Sequence, residues 1–214
     1  MPGTGPTPLV LLHGVGQAPM AWEDVVVRLF GSRPLLTPWV PGLLPTAREV
    51  PSLSDSAAMI DQTLMLEGMG AVDLCGQSYG AMVAAQVAAG HPDRVRRLVL
   101  VAGQVRPPRL LLRAQAAALR LVPASRLADS GVSKDRLQAV LAAVRDADLS
   151  AELPRISAPT LVLVGERDRA NLPAARKIAE LVPDARLEIV PGAGHAVNVD
   201  APAALADLLA DFLG

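Results

Sequence analysis

Apolar residues in this chain gather into two kinds of segment that follow one another along its length. Short runs dominated by apolar residues stand at Leu9-Val10-Leu11-Leu12, Ala71-Val72-Asp73-Leu74-Cys75, Val95 to Val101, Thr160-Leu161-Val162-Leu163-Val164 and Ala185 to Val190. Runs of this length, punctuated by Gly, Pro and Asp, predict strands buried on both faces, as in a parallel sheet. A further strand is predicted at residues 35–40, although Pro38 can donate no ladder hydrogen bond there. Between these runs the apolar spacing becomes helical. Trp22, Val26 and Leu29 mark a helix over residues 19–29, and a second runs over 54–67 with Ser54 or Asp55 as its N-cap. A third covers 81–89, with Gly90 as C-cap, and Leu205, Leu208, Leu209 and Phe212 give the last helix one apolar face. Strands alternating with helices predict an α/β fold. The expectation is a mostly parallel, six-stranded sheet with helices on both faces.

The pattern changes over residues 104–155. Pro107-Pro108 opens a helix toward Val122 that Pro123 stops, and a second begins after Ser133 with Leu137, Val140, Leu141 and Val144 on one face. Arg106, Arg109, Arg113 and Arg120 share a face of the first. A solvated stripe is the ordinary reading of such a face, and a surface that greets an anionic substrate is the alternative.

Gly76-Gln77-Ser78-Tyr79-Gly80 carries the strongest chemical signal. It joins a predicted strand to a predicted helix, so a serine stands at the apex of a tight strand–turn–helix bend. Gly-x-Ser-x-Gly in this context is a nucleophile elbow, with a strained backbone and an exposed hydroxyl. Sites built on such an elbow place an acid and then a histidine later in the chain. Two strands downstream end in suitable loops, Gly165-Glu166-Arg167-Asp168 and Gly192-Ala193-Gly194-His195. Open parallel sheets form their sites outside the carboxyl ends of the strands, where Ser78, Asp168 and His195 all fall.

With Leu9 to Gly14, the elbow, the strand over 94–101 and these two loops, the chain resembles the α/β-hydrolase superfamily from Pro8 onward. The resemblance implies a serine hydrolase that cleaves a carboxylic ester or thioester through an acyl-serine intermediate. Ser78 would be the nucleophile, His195 the general base and Asp168 the acid that orients it, with Glu166 a competing carboxylate. Backbone N–H groups of Val15 and Tyr79 would form the oxyanion hole. It also implies a single domain over 1–214 in which 104–155 is a small helical cap, without the family's N-terminal hairpin. Relatives with this triad also cleave amides, lactones and carbon–carbon bonds or carry out lyase chemistry, and a ligand-binding protein of the same fold is the non-catalytic alternative.

The other residues of these types read more plainly. His13 shapes the loop after the first strand, His91 is a surface residue, and Cys75 is a small buried hydrophobe. Composition narrows the picture further. Hydrophobic residues make up 51% of the 214 and charged residues 19%, which excludes a disordered chain. A net charge of −1 gives no electrostatic case for nucleic acid or an anionic membrane. One cysteine allows no internal disulfide, and three scattered histidines offer no metal-ligand spacing, so neither metal nor cofactor is expected. Residues 1–6 lack a signal-peptide pattern and no apolar run reaches membrane-helix length, so a cytoplasmic location is expected. Aromatic residues are only 2%, so a pocket must be lined by aliphatic side chains, which suits a small-molecule substrate with an aliphatic acyl part.

Overall fold

The computed structural model describes residues 5–47, 49–123 and 132–214. Strands β1 (Leu9–Leu12), β2 (Leu35–Leu36), β3 (Val72–Gln77), β4 (Val95–Val101), β5 (Thr160–Gly165) and β6 (Ala185–Val190) form one sheet in the order β2-β1-β3-β4-β5-β6. Every neighbouring pair is parallel. The helices are α1 (Glu23–Leu29), α2 (Leu53–Leu66), α3 (Tyr79–Gly90), α4 (Arg109–Leu121), α5 (Lys134–Ala143), α6 (Leu172–Leu181), α7 (Val197–Asp200) and α8 (Pro202–Leu213).

Alternation along each strand assigns its side chains to two cores. Val10, Leu12, Leu74, Leu98, Leu100, Val162 and Val164 pack on one face with residues of α2, α3 and α6. Leu9, Leu11, Cys75, Val99, Val101, Leu161 and Leu163 pack on the other with Trp22, Val25, Leu205 and Leu209 of the flanking α1 and α8 region. Both faces are covered, which is why these strands read as unbroken apolar runs.

Local corrections have local causes. The segment before α1 is a 3-10 turn over Pro19–Trp22, so Val25 rather than Val26 becomes fully buried beside Trp22 and Leu29. Ser52, not Ser54 or Asp55, caps α2 by accepting the Asp55 N–H at 3.1 Å. Strand β2 stops at Leu36, before Pro38 and far short of residue 40. Gly90 ends α3 within the helix, and the cap is His91, whose N–H donates to Val87 O. Ser133 does cap α5, through the Arg136 N–H at 3.2 Å, and Leu137, Val140, Leu141 and Val144 are buried as their spacing requires. Helix α6 is absent from the predicted elements, because Leu172, Ala175 and Ile178 give only a short apolar stripe.

From β1 the chain steps to β2 on one side and then returns to place β3 on the other. The order reverses between β1 and β3. A crevice opens outside the carboxyl ends of two strands at such a switch point. His13 to Val15 leave β1 there, and Ser78 leaves β3. Among the described residues, no helix is long and apolar enough to cross a membrane.

Candidate active site

Ser78 occupies the bend between β3 and α3 with φ 55° and ψ −112°, a left-handed conformation costly for a residue with a side chain. Two glycines permit the bend. A Cβ on Gly76 would collide with the Gly80 carbonyl, and one on Gly80 with the Leu12 carbonyl at the end of β1. The Ser78 N–H donates to Val101 O at 2.8 Å, which ties the bend to β4.

Loops after β5 and β6 bring the other two candidates to it. His195 Nε2 lies 3.0 Å from Ser78 Oγ, and His195 Nδ1 lies 2.7 Å from Asp168 Oδ2. The residues expected to meet therefore do meet. The two loops are stitched together by Arg167 N–H to Ala193 O at 2.9 Å and Glu166 N–H to Val190 O at 3.0 Å. Burial opposes ionisation of Asp168, but hydrogen bonds from His195 and Asn171 outweigh it and hold the carboxyl below its ordinary range. An ionised Asp168 fixes the proton of a neutral His195 on Nδ1 and leaves Nε2 free to accept from Ser78. Glu166 turns elsewhere: its carboxylate accepts the Gly192 N–H at 2.8 Å.

The oxyanion candidates face the same space. The Gly14 N–H is taken by Gln17 Oε1 at 3.0 Å, whereas among the described residues neither the Val15 nor the Tyr79 N–H finds a protein acceptor. Tyr79 opens α3, so its N–H has no intrahelical partner and stands at the positive end of the helix.

Sequence reading missed the polar residues that hold these loops. Gln77 Nε2 donates to His195 O at 2.6 Å from inside the elbow, and Gln17 Nε2 donates to Asn198 Oδ1 at 3.0 Å, joining the loop after β1 to α7. Asn171 donates to both Asp168 oxygens. The only signal was their closeness in sequence to the motifs.

A cavity of about 240 Å³ lies over Ser78. Val15, Met82, Leu112, Leu119, Leu137, Leu141 and Val144 supply apolar wall, while Tyr79, Gln104, Gln115, Asn171 and His195 supply its polar atoms. None of the four arginines of α4 and its approach lines it. Arg106 and Arg109 instead pair with Asp148 and Asp146 at 2.6 and 2.8 Å on the exposed surface.

His13 is buried outside this cavity. Its Nε2 accepts the Val40 N–H at 3.2 Å and its ring packs edge-on against Trp39. Burial pushes its pKa down to about 4. An unfolded chain binds this proton below its ordinary value of about 6.5 and the folded one does not, so stability falls as pH drops from 6.5 toward 4. The expected contribution is on the order of 3 kcal/mol. His13→Gln keeps an acceptor for Val40 without a titrating group. Urea unfolding of that variant should show a shallower stability loss between these pH values than the wild type, and parallel curves would contradict this.

Comparison with known proteins agrees with the geometry. A sequence profile of the alpha/beta hydrolase family matches residues 9–208. Polyketide synthase ThaQ of Burkholderia thailandensis is 31% identical over 91% of this chain, which spans only 11% of that protein's length. Relatives of similar size include a putative carbamate hydrolase RutD of Pseudomonas savastanoi pv. phaseolicola, 27% identical over 96% of this chain and 93% of its own. A pimeloyl-[acyl-carrier protein] methyl ester esterase of Yersinia enterocolitica is 29% identical over 98% of this chain and 94% of its own. Among solved structures, a hydrolase from Pseudomonas aeruginosa PA01 superposes with a TM-score of 0.83 at 25% identity, over 98% of this chain and 90% of that one. The enol-lactonase from Burkholderia xenovorans LB400 shares the fold at a TM-score of 0.82 and 23% identity, over 99% and 92%. A family match that runs from β1 into α8, on a sheet and elbow of this form, makes the chain an enzyme of the alpha/beta hydrolase family.

Proposed function

We propose that this hydrolase cleaves a carboxylic ester or thioester through an acyl-serine intermediate, with Ser78, His195 and Asp168 as its triad. The observation that carries the reading is the hydrogen-bonded line from Asp168 through His195 to Ser78 at the floor of an apolar cavity. Ser78 Oγ bonds to the substrate carbonyl carbon as its proton passes to His195 Nε2. The carbonyl π pair moves onto oxygen, where the Val15 and Tyr79 N–H groups receive the charge. Collapse breaks the bond to the leaving group, which takes the proton from His195. Water, deprotonated by the same nitrogen, then releases the acid from Ser78. Relatives named as a methyl ester esterase and a putative carbamate hydrolase support attack at an acyl carbon bearing oxygen.

Within one domain over 1–214, the segment 104–155 serves as the cap of this cavity in this reading, its positions 124–131 lying outside the described residues. Leu112, Leu119, Leu137 and Leu141 contribute its wall from α4 and α5. This wall favours an uncharged aliphatic acyl group, since no Lys, Arg, Asp or Glu lines it among the described residues. Burying a carboxylate there without a partner costs several kcal/mol.

The test uses a fluorophosphonate probe and two p-nitrophenyl esters, a hexanoate and an adipate monoester that ends in a carboxylate. We expect labelling of the protein and a kcat/KM about 100-fold higher for the hexanoate. Absence of both labelling and ester turnover would remove the acyl-serine reading. Equal rates on the two esters would remove the preference for a neutral chain.

A further inference from the structure

The loop after β5 holds a polar side chain that a serine–histidine–aspartate line does not require. Asn171 is buried, three residues beyond Asp168. Its Nδ2 lies 2.7 and 2.8 Å from the two carboxylate oxygens of Asp168 and 3.1 Å from His195 Nδ1. Its Oδ1 accepts from Gln104 Nε2. This orientation of the amide is dictated by its neighbours, because the reverse would set an oxygen against an ionised carboxylate. Gln104 follows β4 and lines the cavity over Ser78, as Asn171 does. A continuous line of donors therefore runs from the cavity wall through Gln104 and Asn171 to Asp168.

We propose that Asn171 is a positioning residue that sets how strongly Asp168 holds the imidazolium of His195, and that Gln104 couples this setting to whatever occupies the cavity. The inference rests on the roles assigned to Asp168 and His195 above. A carboxylate that accepts extra hydrogen bonds has its charge spread over more donors and is less basic. Asn171 also bonds both oxygens, which fixes the plane of the carboxylate and hence the direction in which it turns the His195 ring. Gln104 polarises the Asn171 amide, so its own bond strengthens the next one in the line. A substrate group that draws Gln104 away weakens the Asn171 bond and makes Asp168 more basic while the substrate is bound.

Few other charges bear on this pair. Glu166, Arg167 and Arg169 of the loop after β5 and Asp200 at the end of α7 are exposed, and Glu166 and Asp200 accept the N–H groups of Gly192 and Gly194.

The experiment measures kcat and KM for p-nitrophenyl hexanoate across the acid limb of the pH profile in wild type, Asn171→Leu, Asn171→Asp and Gln104→Leu. Loss of the donor in Asn171→Leu leaves a more basic Asp168, so the acid limb of kcat/KM should move to higher pH by about half a unit to one unit. kcat should fall about tenfold, with KM little changed. Asn171→Asp sets a second negative charge beside the imidazole and should move the limb further in the same direction. Gln104→Leu should move it the same way by less. A residue that only packs the loop would lower the rate and leave the limb in place, and an unmoved limb in both leucine variants overturns the inference. Should Asn171→Leu fail to fold, Gln104→Leu on the cavity wall decides the matter alone. Asp168→Asn in the same assay separates the two levels. If it leaves kcat intact, the acid assignment falls and the coupling with it. If it lowers kcat strongly while the leucine variants keep the wild-type limb, the coupling alone falls.

Discussion

Replacing Ser78 by alanine should lower kcat by about 10⁵- to 10⁶-fold, the size of loss expected when the nucleophile of a serine triad is removed. The fold should hardly register the change. Alanine keeps the Cβ and adopts the same backbone at φ 55°, and among the described residues the lost hydroxyl hydrogen-bonds only His195 Nε2. The unfolding free energy is therefore expected to stay within about 1 kcal/mol of wild type. Stopped-time assays on the hexanoate ester, beside a thermal melt, measure both quantities. Fluorophosphonate labelling should vanish in parallel with turnover. Activity within tenfold of wild type in a folded variant would show that another group makes the bond to the acyl carbon.

Asp168→Asn should cost about 10⁴ in kcat. An asparagine presents its amide N–H₂ or a much weaker acceptor to His195 Nδ1, so the ring loses the partner that sets its tautomer and balances the imidazolium. The buried Asn171, which donates to both oxygens of Asp168, would also meet an amide instead of a carboxylate. Glu166→Gln is the matched comparison. Glu166 bonds the Gly192 N–H on the exposed side of the loop, and glutamine retains an acceptor oxygen for it. Its kcat is expected within about threefold of wild type. The reverse pattern, with Glu166→Gln inactive and Asp168→Asn active, would transfer the role of the acid.

Much of this architecture could be read from local pattern. The buried runs at β1, β3, β4 and β5 announce themselves because both faces of a parallel strand are covered, and the elbow announces itself because only glycine tolerates its close approaches. The weaker forecasts failed where a neighbour outside the pattern decides. Ser52, Ser54 and Ser56 all stand near the start of α2, and only the position of its first turn selects Ser52 as the cap. Strand β2 has a single neighbour, β1, and two paired residues, too little pairing to imprint an alternation on residues 35–40.

Sequence alone brought Ser78, Asp168 and His195 forward as the candidate triad, through the elbow, the chain order, the loops at strand ends and the family resemblance that favours Asp168 over Glu166. It also pointed to a largely aliphatic pocket wall, since five aromatic residues are too few to build one, and among the described residues Tyr79 alone of them lines the cavity. Tertiary structure alone decided how those groups are held. Asn171 meets Gln104 across 67 positions of sequence, and Gln77 reaches the His195 carbonyl across 118. Such side chains have no local signature, because an amide in a loop costs nothing until the fold buries it and brings its partners within hydrogen-bond reach. The outward turn of Arg106 and Arg109 to Asp148 and Asp146 has the same origin, for it depends on where the chain after α5 returns to the surface.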